Sequence, residues 1–274
     1  MRKSDISIII LLYNTPQDKI RNLLIYKEYN IFILDQSNDH ITKKKLIKLL
    51  PNIKYYKVTK KNNGFAKGIN FLIKKVKTKF FLCTQIDVLI NKKSIVELKK
   101  AFINNNDCVV SIPNFKDYKK LKKNIKKISK VKRFIGAIFL ADKNKFNQLG
   151  GFDEDFFFYW EDVDFSKRIE NLKKFNIYKC KKSYANHLSG ESTKVNKESE
   201  YIRLSNFKFG EYLFQYKHNK LRLIKIIREF CVRFLLNFIH IIFSNKNKFY
   251  KNFYFFIGIL KFYKFILFNK VGRF

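Results

Sequence analysis

The sequence predicts an α/β fold: a mixed, mostly parallel sheet flanked by helices, with C-terminal amphipathic helices behind it. Three observations predict it. Short continuous apolar runs alternate with helical patterns over the first two-thirds of the chain, the pattern of strands buried on both faces and joined by crossover helices. Acids and turn residues stop several of these runs at their carboxyl ends, where sheets of this kind take their ligands. The last sixty-odd residues instead carry a single polar stripe at helical spacing within an apolar background.

The elements follow in order. Ile6 to Leu12 is a first strand, ended by Tyr13-Asn14-Thr15-Pro16. It sits behind Arg2 and Lys3, but it is short and no small-residue cleavage site follows, so it reads as a buried strand rather than a signal peptide. A helix is expected from Gln17 to Tyr29 and a second strand from Ile31 to Leu34, stopping at Asp35-Gln36-Ser37-Asn38-Asp39. A basic helix runs to about Leu50, and Ile53 to Val58 is a third strand. Asn62-Asn63-Gly64 breaks the chain before a helix from Ala66 to Val76. Phe80 to Cys83 is a fourth strand, ending near Asp87; Ser94 to Asn104 is a helix and Cys108 to Ile112 a fifth strand. The lysine-heavy stretch from Lys116 to Arg133 is expected to be a mobile loop or exposed helix across one edge of the site. Phe134 to Ala141 reads as a strand, followed by a short helix to Leu149 and another from Asp162 to Lys173. Of the nine Gly, six (Gly64, Gly68, Gly136, Gly150, Gly151 and Gly190) lie in or beside the segments singled out below, which suggests tight turns and close backbone approach to a ligand.

A length of 274 residues and an apolar share of 46% suffice for one large domain, or one domain with an appendage. The net charge of +36 favours anionic partners. Its lysines are spread through every segment rather than gathered on one module, so the charge reads first as a compositional bias. No recognisable nucleic-acid-binding module accompanies it, and nucleic acid is not expected as a partner. Cys83, Cys108, Cys180 and Cys231 are widely spaced and form no CxxC pair, so neither a zinc site nor a disulfide framework is expected.

The densest chemistry lies between Gly150 and Arg168. Six of the chain's 22 acids fall there (Asp153, Glu154, Asp155, Glu161, Asp162 and Asp164), beside the only Trp. Acids among aromatics are costly to desolvate unless they hold a ligand, a metal or a proton. The reading is a catalytic acid cluster at the mouth of a helix, whose dipole favours acids in the first turn. Asp35 and Asp87, each just past a strand end, are candidates on position alone.

The order of motifs resembles the family 2 glycosyltransferases with the GT-A fold, in particular the bacterial rhamnosyltransferase-like branch. Asp35-Gln36-Ser37-Asn38-Asp39 is similar to the family's Asp-x-Ser-x-Asp, and Asn63-Gly64-Phe65-Ala66 with Asn70 to its Asn-x-Gly-Phe-Ala…Asn loop. Thr84-Gln85-Ile86-Asp87 stands where the family has Asn-Pro-Asp or Asp-x-Asp. Gly150-Gly151-Phe152-Asp153-Glu154, continuing through Glu161-Asp162-Val163-Asp164 to Arg168, resembles the family's acidic block, and His187 with Gly190 its late histidine. The resemblance covers about residues 5 to 210.

The resemblance implies an inverting transfer of a sugar from a nucleotide-diphosphate sugar to a hydroxyl of a glycan or lipid-linked glycan, in bacterial surface polysaccharide synthesis. Asp162 would be the general base and Glu161 would orient the acceptor or support the base. Asp35, Asn63, Gly64, Gln85 and Asp87 would line the donor site. Asp87 and His187 would hold a divalent cation, Mn2+ or Mg2+, and Trp160 and Tyr159 would offer the acceptor a flat surface. The chain departs from the pattern at Gln85, an amide that cannot neutralise a cation. That leaves the cation to Asp87 and His187, or part of its work to basic side chains. Gln85 also motivates one alternative, an inactive membrane-bound scaffold of the same fold; the charge motivates the other, a basic nucleic-acid-binding protein.

The resulting division is a catalytic domain over residues 1–210 and a basic helical tail over 211–274. Arg222, Lys225, Glu229, Arg233, Asn237, His240 and Ser244 recur at spacings of three and four. A second apolar stretch runs from Phe253 to Phe268. The tail is expected to lie on an anionic membrane surface, at the cytoplasmic side of the bacterial inner membrane, without crossing it. In that expectation Arg222, Lys225, Arg233 and His240 face headgroups, while Phe230, Phe234, Leu235, Phe238 and Ile241 enter the acyl boundary.

Overall fold

A computed structural model describes residues 5–37, 40–115, 128–188 and 190–269. Asp39 of the second-strand motif and the greater part of the Lys116 to Arg133 stretch lie outside them. Two compact units form. The first holds Met1–Asp155 and Glu161–Lys194; the second holds Phe156–Trp160 and Val195–Phe274. Position 210, where the sequence reading divided the chain, falls inside one continuous helix of the second unit, Lys197–Lys217.

The first unit is built on a nine-stranded sheet: β1 (Ile6–Leu12), β2 (Asn30–Asp35), β3 (Ile53–Val58), β4 (Phe80–Thr84), β5 (Val88–Ile90), β6 (Cys108–Phe115), β7 (Ile128–Val131), β8 (Ile138–Asp142) and β9 (Asn176–His187). Their order is β3-β2-β1-β4-β8-β6-β9-β5, with β7 paired to β9. The parallel pairings run through β3-β2-β1-β4 and recur at β6-β9; β8 is antiparallel to both β4 and β6. β1, β2 and β4 are largely apolar and almost wholly buried, the pattern of strands covered on both faces. The helices are α1 (His40–Leu49), α2 (Phe65–Lys75), α3 (Lys92–Asn104), α4 (Lys143–Gln148) and α5 (Glu161–Leu172). Gly68 lets α2 sit tightly on β1: a Cβ there would stand 2.6 Å from Leu11 Cδ1.

Several elements differ from expectation, among them β5, which was not expected, and β8, which begins at Ile138 rather than Phe134. Gln17–Tyr26 is a 3-10 helix, burying Ile20, Leu23 and Tyr26 at the three-residue repeat of that helix. β7 lies within the stretch expected to be a loop or exposed helix. β9 had no sequence signal, because Lys179, Lys181 and Lys182 hide its alternation, yet it pairs with β5, β6 and β7.

The second unit consists of α6 (Lys197–Lys217), α7 (Leu223–Ile242) and α8 (Lys246–Asn269), with Phe156–Trp160 packed on α6. α6 begins in a capping box between Asn196 and Ser199. No described helix is long and apolar enough to cross a membrane. The polar stripe of α7 corrects the sequence reading. Arg233 does not face outward: it binds Glu229 and donates from Nη1 to Asn252 Oδ1 at 2.9 Å. Asn237 is buried and accepts from Asn252 Nδ2 at 2.8 Å. His240 is half-buried on the same side, while Arg222 and Lys225 remain exposed. Phe230 also turns inward, onto Phe256 at 5.0 Å between ring centroids. The stripe thus meets polar partners on α6 and α8, and the apolar side of α7 is the one left outside.

Candidate active site

The sheet's carboxyl edge gathers the candidate residues of the first unit. Leu12 is in register with Asp35 across β1 and β2, and Ile10 with Thr84 across β1 and β4. Asp35 and the Gln85–Asp87 turn therefore leave the sheet at one edge. β8 runs antiparallel to β4 with Ile138 beside Thr84, and Gln85 N–H donates to Ala137 O at 3.1 Å. That brings Gly136 to the same edge.

Gly136 carries the link to the acid cluster. Its N–H donates to Asp162 Oδ2 at 2.8 Å, and Val163 N–H donates to Asp162 Oδ1 at 2.8 Å. A Cβ on Gly136 would stand 3.5 Å from Glu161 Oε1 and 3.6 Å from Asp162 Oδ2, so this backbone passes close to both carboxyls. Glu161 is buried and its Oε2 has no hydrogen-bond partner. Burial, with the neighbouring Asp162 charge added, pushes its pKa well above the usual carboxylate range. Burial also raises Asp162, opposed by the Gly136 and Val163 N–H groups and the Arg133 charge. Asp162 keeps part of its surface open, whereas Glu161 does not.

Asp164 and Arg168, in the same motif, are structural. Arg168 Nε donates to Asp164 Oδ2 at 2.8 Å, Nη2 to Gly151 O at 2.7 Å, and Nη1 to Leu149 O. Asn70 clamps the same turn by donating to Phe152 O at 2.8 Å and accepting from Phe152 N at 3.0 Å. Gly151 has φ +69°, and a Cβ there would meet Asn70 Oδ1 at 2.8 Å, so the turn requires glycine.

Asp87 is wholly buried, and neither carboxylate oxygen has a hydrogen-bond partner. β9 supplies the residue it faces. Val88 is in register with His187, which places His187 Nε2 3.6 Å from Asp87 Oδ2. A buried carboxylate without hydrogen-bond donors fits a cation ligand; its hard oxygens suit Mn2+ or Mg2+, and the neighbouring imidazole suits Mn2+ better than Mg2+. Among the described residues no group of three or more His, Cys, Asp or Glu is placed to hold a metal, so the protein offers two ligands here.

Asp35 is held by three donors: Ser37 N–H at 3.0 Å and Ser37 Oγ at 2.5 Å on Oδ1, and Tyr56 OH at 2.9 Å on Oδ2. Neither Ser37 nor Tyr56 was assigned a role from the sequence. Gln36 ties the loop that follows β3: its Oε1 accepts from Asn63 N at 2.7 Å, and its Nε2 donates to Gly64 O at 3.2 Å. Gly64 adopts φ +85° at the start of α2. A cavity of about 190 Å³ opens here, lined by Lys57, Thr59, Asn63, Lys67 and Phe71. It includes Asn63 but none of Asp87, Asp162 and His187.

Trp160 and Tyr159 belong to the second unit. The Trp160 ring lies 5.8 Å from Phe207 and 5.5 Å from Phe214, and Tyr159 is 5.7 Å from Phe207. A Cβ on Gly210 would stand 2.8 Å from Trp160 Cδ1. The indole Nε1 is buried without a partner. Both residues have positive φ, +68° and +73°, a conformation costly for bulky side chains and common at functional sites.

Comparison with known proteins identifies the family. The family model described as glycosyl transferase family 2 matches residues 7–165, more than half of the chain. Among solved structures, a mannosyltransferase from Pyrobaculum calidifontis in complex with GDP-Man and Mn2+ superposes with a TM-score of 0.59 at 11% identity, over 98% of this chain and 89% of that one. GalNAc-T7 with UDP, GalNAc and Mn2+ gives 0.57 at 14% identity, over 76% of this chain and 47% of that one. TarS of S. aureus gives 0.53 at 17% identity, over 85% of this chain and 43% of that one. The chain thus spans under half the length of the latter two. At these identities the likeness is one of fold. No curated protein matches the sequence.

Proposed function

We propose a specific reaction for this chain, which belongs to glycosyl transferase family 2 and is therefore a glycosyltransferase working from a nucleotide-sugar donor. The reaction is inverting transfer of the sugar to a hydroxyl of a glycan or lipid-linked glycan, in bacterial surface polysaccharide synthesis on the cytoplasmic side of the inner membrane. The order of motifs favours the rhamnosyltransferase-like branch. The observation that carries the reading is the Asp162 carboxylate, partly open and gripped by the Gly136 N–H at the sheet edge from which Asp35 and Asp87 also emerge.

Asp162 takes the proton from the acceptor hydroxyl as that oxygen attacks the anomeric carbon. The bond from that carbon to the donor phosphate breaks, and the nucleoside diphosphate leaves with the electron pair on the opposite side. One displacement of this kind inverts the anomeric configuration. The raised pKa of Asp162 makes it a better proton acceptor than an ordinary surface carboxylate. Burial, with the Asp162 charge beside it, raises the Glu161 pKa and so disfavours a second negative charge beside the base. Asp35 has room for one more donor on its carboxylate and would accept it from the nucleobase. Asn63, Gly64 and Gln85 complete the donor side. Asp87 and His187 would hold a divalent cation, which when bound neutralises diphosphate charge. Gln85 adds no charge there, so basic side chains share that work. Trp160 and Tyr159, next to Glu161 in the chain, are assigned to the acceptor on the strength of their left-handed backbone and the orphan indole N–H.

Two measurements test this. Proton NMR of the product, from any nucleotide sugar found in a hydrolysis screen, should show the opposite anomeric configuration to the donor; retention would remove Asp162 as a single-displacement base. Asp87→Ala, titrated with donor with and without chelator, should weaken donor binding and abolish any response to Mn2+ or Mg2+. Equal affinity in every condition would remove the metal assignment.

A further inference from the structure

α7 presents its apolar side outward. Ile224, Ile227, Cys231, Leu235, Phe238 and Ile242 follow each other at spacings of three and four, so they form one stripe along the helix. Ile224 is 84% exposed, Leu235 60% and Ile242 74%. The opposite side is committed. Glu229 binds Lys208 at 2.9 Å, Arg233 at 2.8 Å and the Tyr212 hydroxyl, and Asn252 of α8 bonds Arg233 and Asn237. Rotating α7 to hide its apolar stripe would break this network and strand its charges. The stripe is therefore built to be outside, and a contiguous exposed apolar stripe marks an interaction site.

The charges around it indicate the partner. Arg222, Lys225 and Arg228 on α7, and Lys246, Lys248 and Lys251 on α8, are exposed. From Tyr212 to Phe274 the only acid is Glu229, and it is spent inside the network. A second copy of the chain docking through this face by two-fold symmetry would set the same basic rim against itself. An anionic lipid surface neutralises the rim while its acyl boundary accepts the stripe.

We infer that the outward face of α7 is a monotopic docking surface for anionic lipid, with the helix lying in the plane of the bilayer interface. The inference rests on the membrane location proposed above for the kind of partner, and on the packing of α7 alone for the surface. Its test reads lipid binding, not sugar transfer, so the two can fail separately.

Cys231 lies in the stripe and is the exposed thiol, while Cys83, Cys108 and Cys180 are buried. Full-length protein carrying an environment-sensitive fluorophore on Cys231 should brighten and shift blue with phosphatidylglycerol vesicles. It should float with them at least tenfold more than with phosphatidylcholine vesicles at low salt. Leu235→Glu combined with Ile242→Glu should cut that flotation at least tenfold, leaving helical content and nucleotide-sugar hydrolysis unchanged. Equal flotation of variant and wild type, equal binding to both lipids, or no response of the Cys231 probe would overturn the assignment. A concentration-dependent dimer that the variant dissociates, without flotation, would give the face to a second copy instead. The Cys231 reading on wild-type protein decides the matter even if the double variant does not fold.

Discussion

Glu161 of the first unit and Glu229 of the second are both largely removed from water, and their surroundings are opposite. Glu161 has an oxygen with no hydrogen-bond partner and a second carboxyl beside it. Glu229 is met by Lys208, Arg233 and Tyr212. Burial raises both acids. For Glu161 nothing reverses it, but for Glu229 the hydrogen bonds from Tyr212, Lys208 and Arg233 outweigh it and hold the pKa at about 2. The helical unit buries a charge to hold three helices together. The first unit buries a carboxyl at a cost, beside a second carboxyl, an arrangement that packing alone does not call for.

The largest effect that would sharpen this contrast is Asp162→Asn. Loss of a general base lowers turnover by about 10²- to 10⁴-fold. The amide also sets an NH2 against one of the two N–H groups that hold the carboxylate, so donor affinity and melting temperature should be followed alongside turnover. Near-normal transfer would leave the first unit without a base and the contrast without meaning.

Next in size is Glu229→Ala. It removes the carboxylate that Lys208 and Arg233 share, leaving Lys208 to Glu211 and Arg233 to Asn252, at a cost of about 1–3 kcal/mol. Because the folded pKa of about 2 lies below the ordinary value of 4.5, the wild-type contribution is complete above that value. It is lost as pH falls toward the folded one. Melting of wild type and variant by circular dichroism should differ most at neutral pH and converge near pH 2; parallel curves would show that Glu229 is not the group responsible.

The smallest effect, and the most discriminating, is Glu161→Gln. The folded pKa of Glu161 lies above 4.5, so its contribution is favourable below that pH and is lost as pH rises through the folded value. The amide removes that loss. The variant should be more stable than wild type at neutral pH, and less active. A variant that is both less stable and fully active would overturn the reading of Glu161 as a functional expense.

Residues legible in the sequence were those whose environment is set by their own segment. β1, β2 and β4 announce themselves as apolar runs because both of their faces are covered. Asp35 and Asp87 stand at strand ends, and scarce glycine pointed to Gly136, whose N–H grips Asp162. What stayed hidden depended on partners distant in the chain. β9 carries three lysines and reads as a strand only once β5, β6 and β7 flank it. The Ser37 and Tyr56 contacts to Asp35 required β2 and β3 to be paired first. The periodicity of α7 revealed a polar stripe but not which side it faces. That side was decided by Lys208, Tyr212 and Asn252 on other helices, which outbid the usual burial of the apolar face.

The chain enters the helical unit at Phe156, leaves it at Trp160, and reaches Asp162 two residues later. Those five residues take their packing from Phe207, Gly210 and Phe214 of α6. The two units are therefore not interchangeable modules. A catalytic half cut after Lys194 would keep every acid of the site and lose the bed on which Trp160 rests, so its left-handed turn would have nothing to enforce it. Shuffling this half onto another tail, by design or by recombination, would succeed only if the new tail carried a small residue where Gly210 admits the indole.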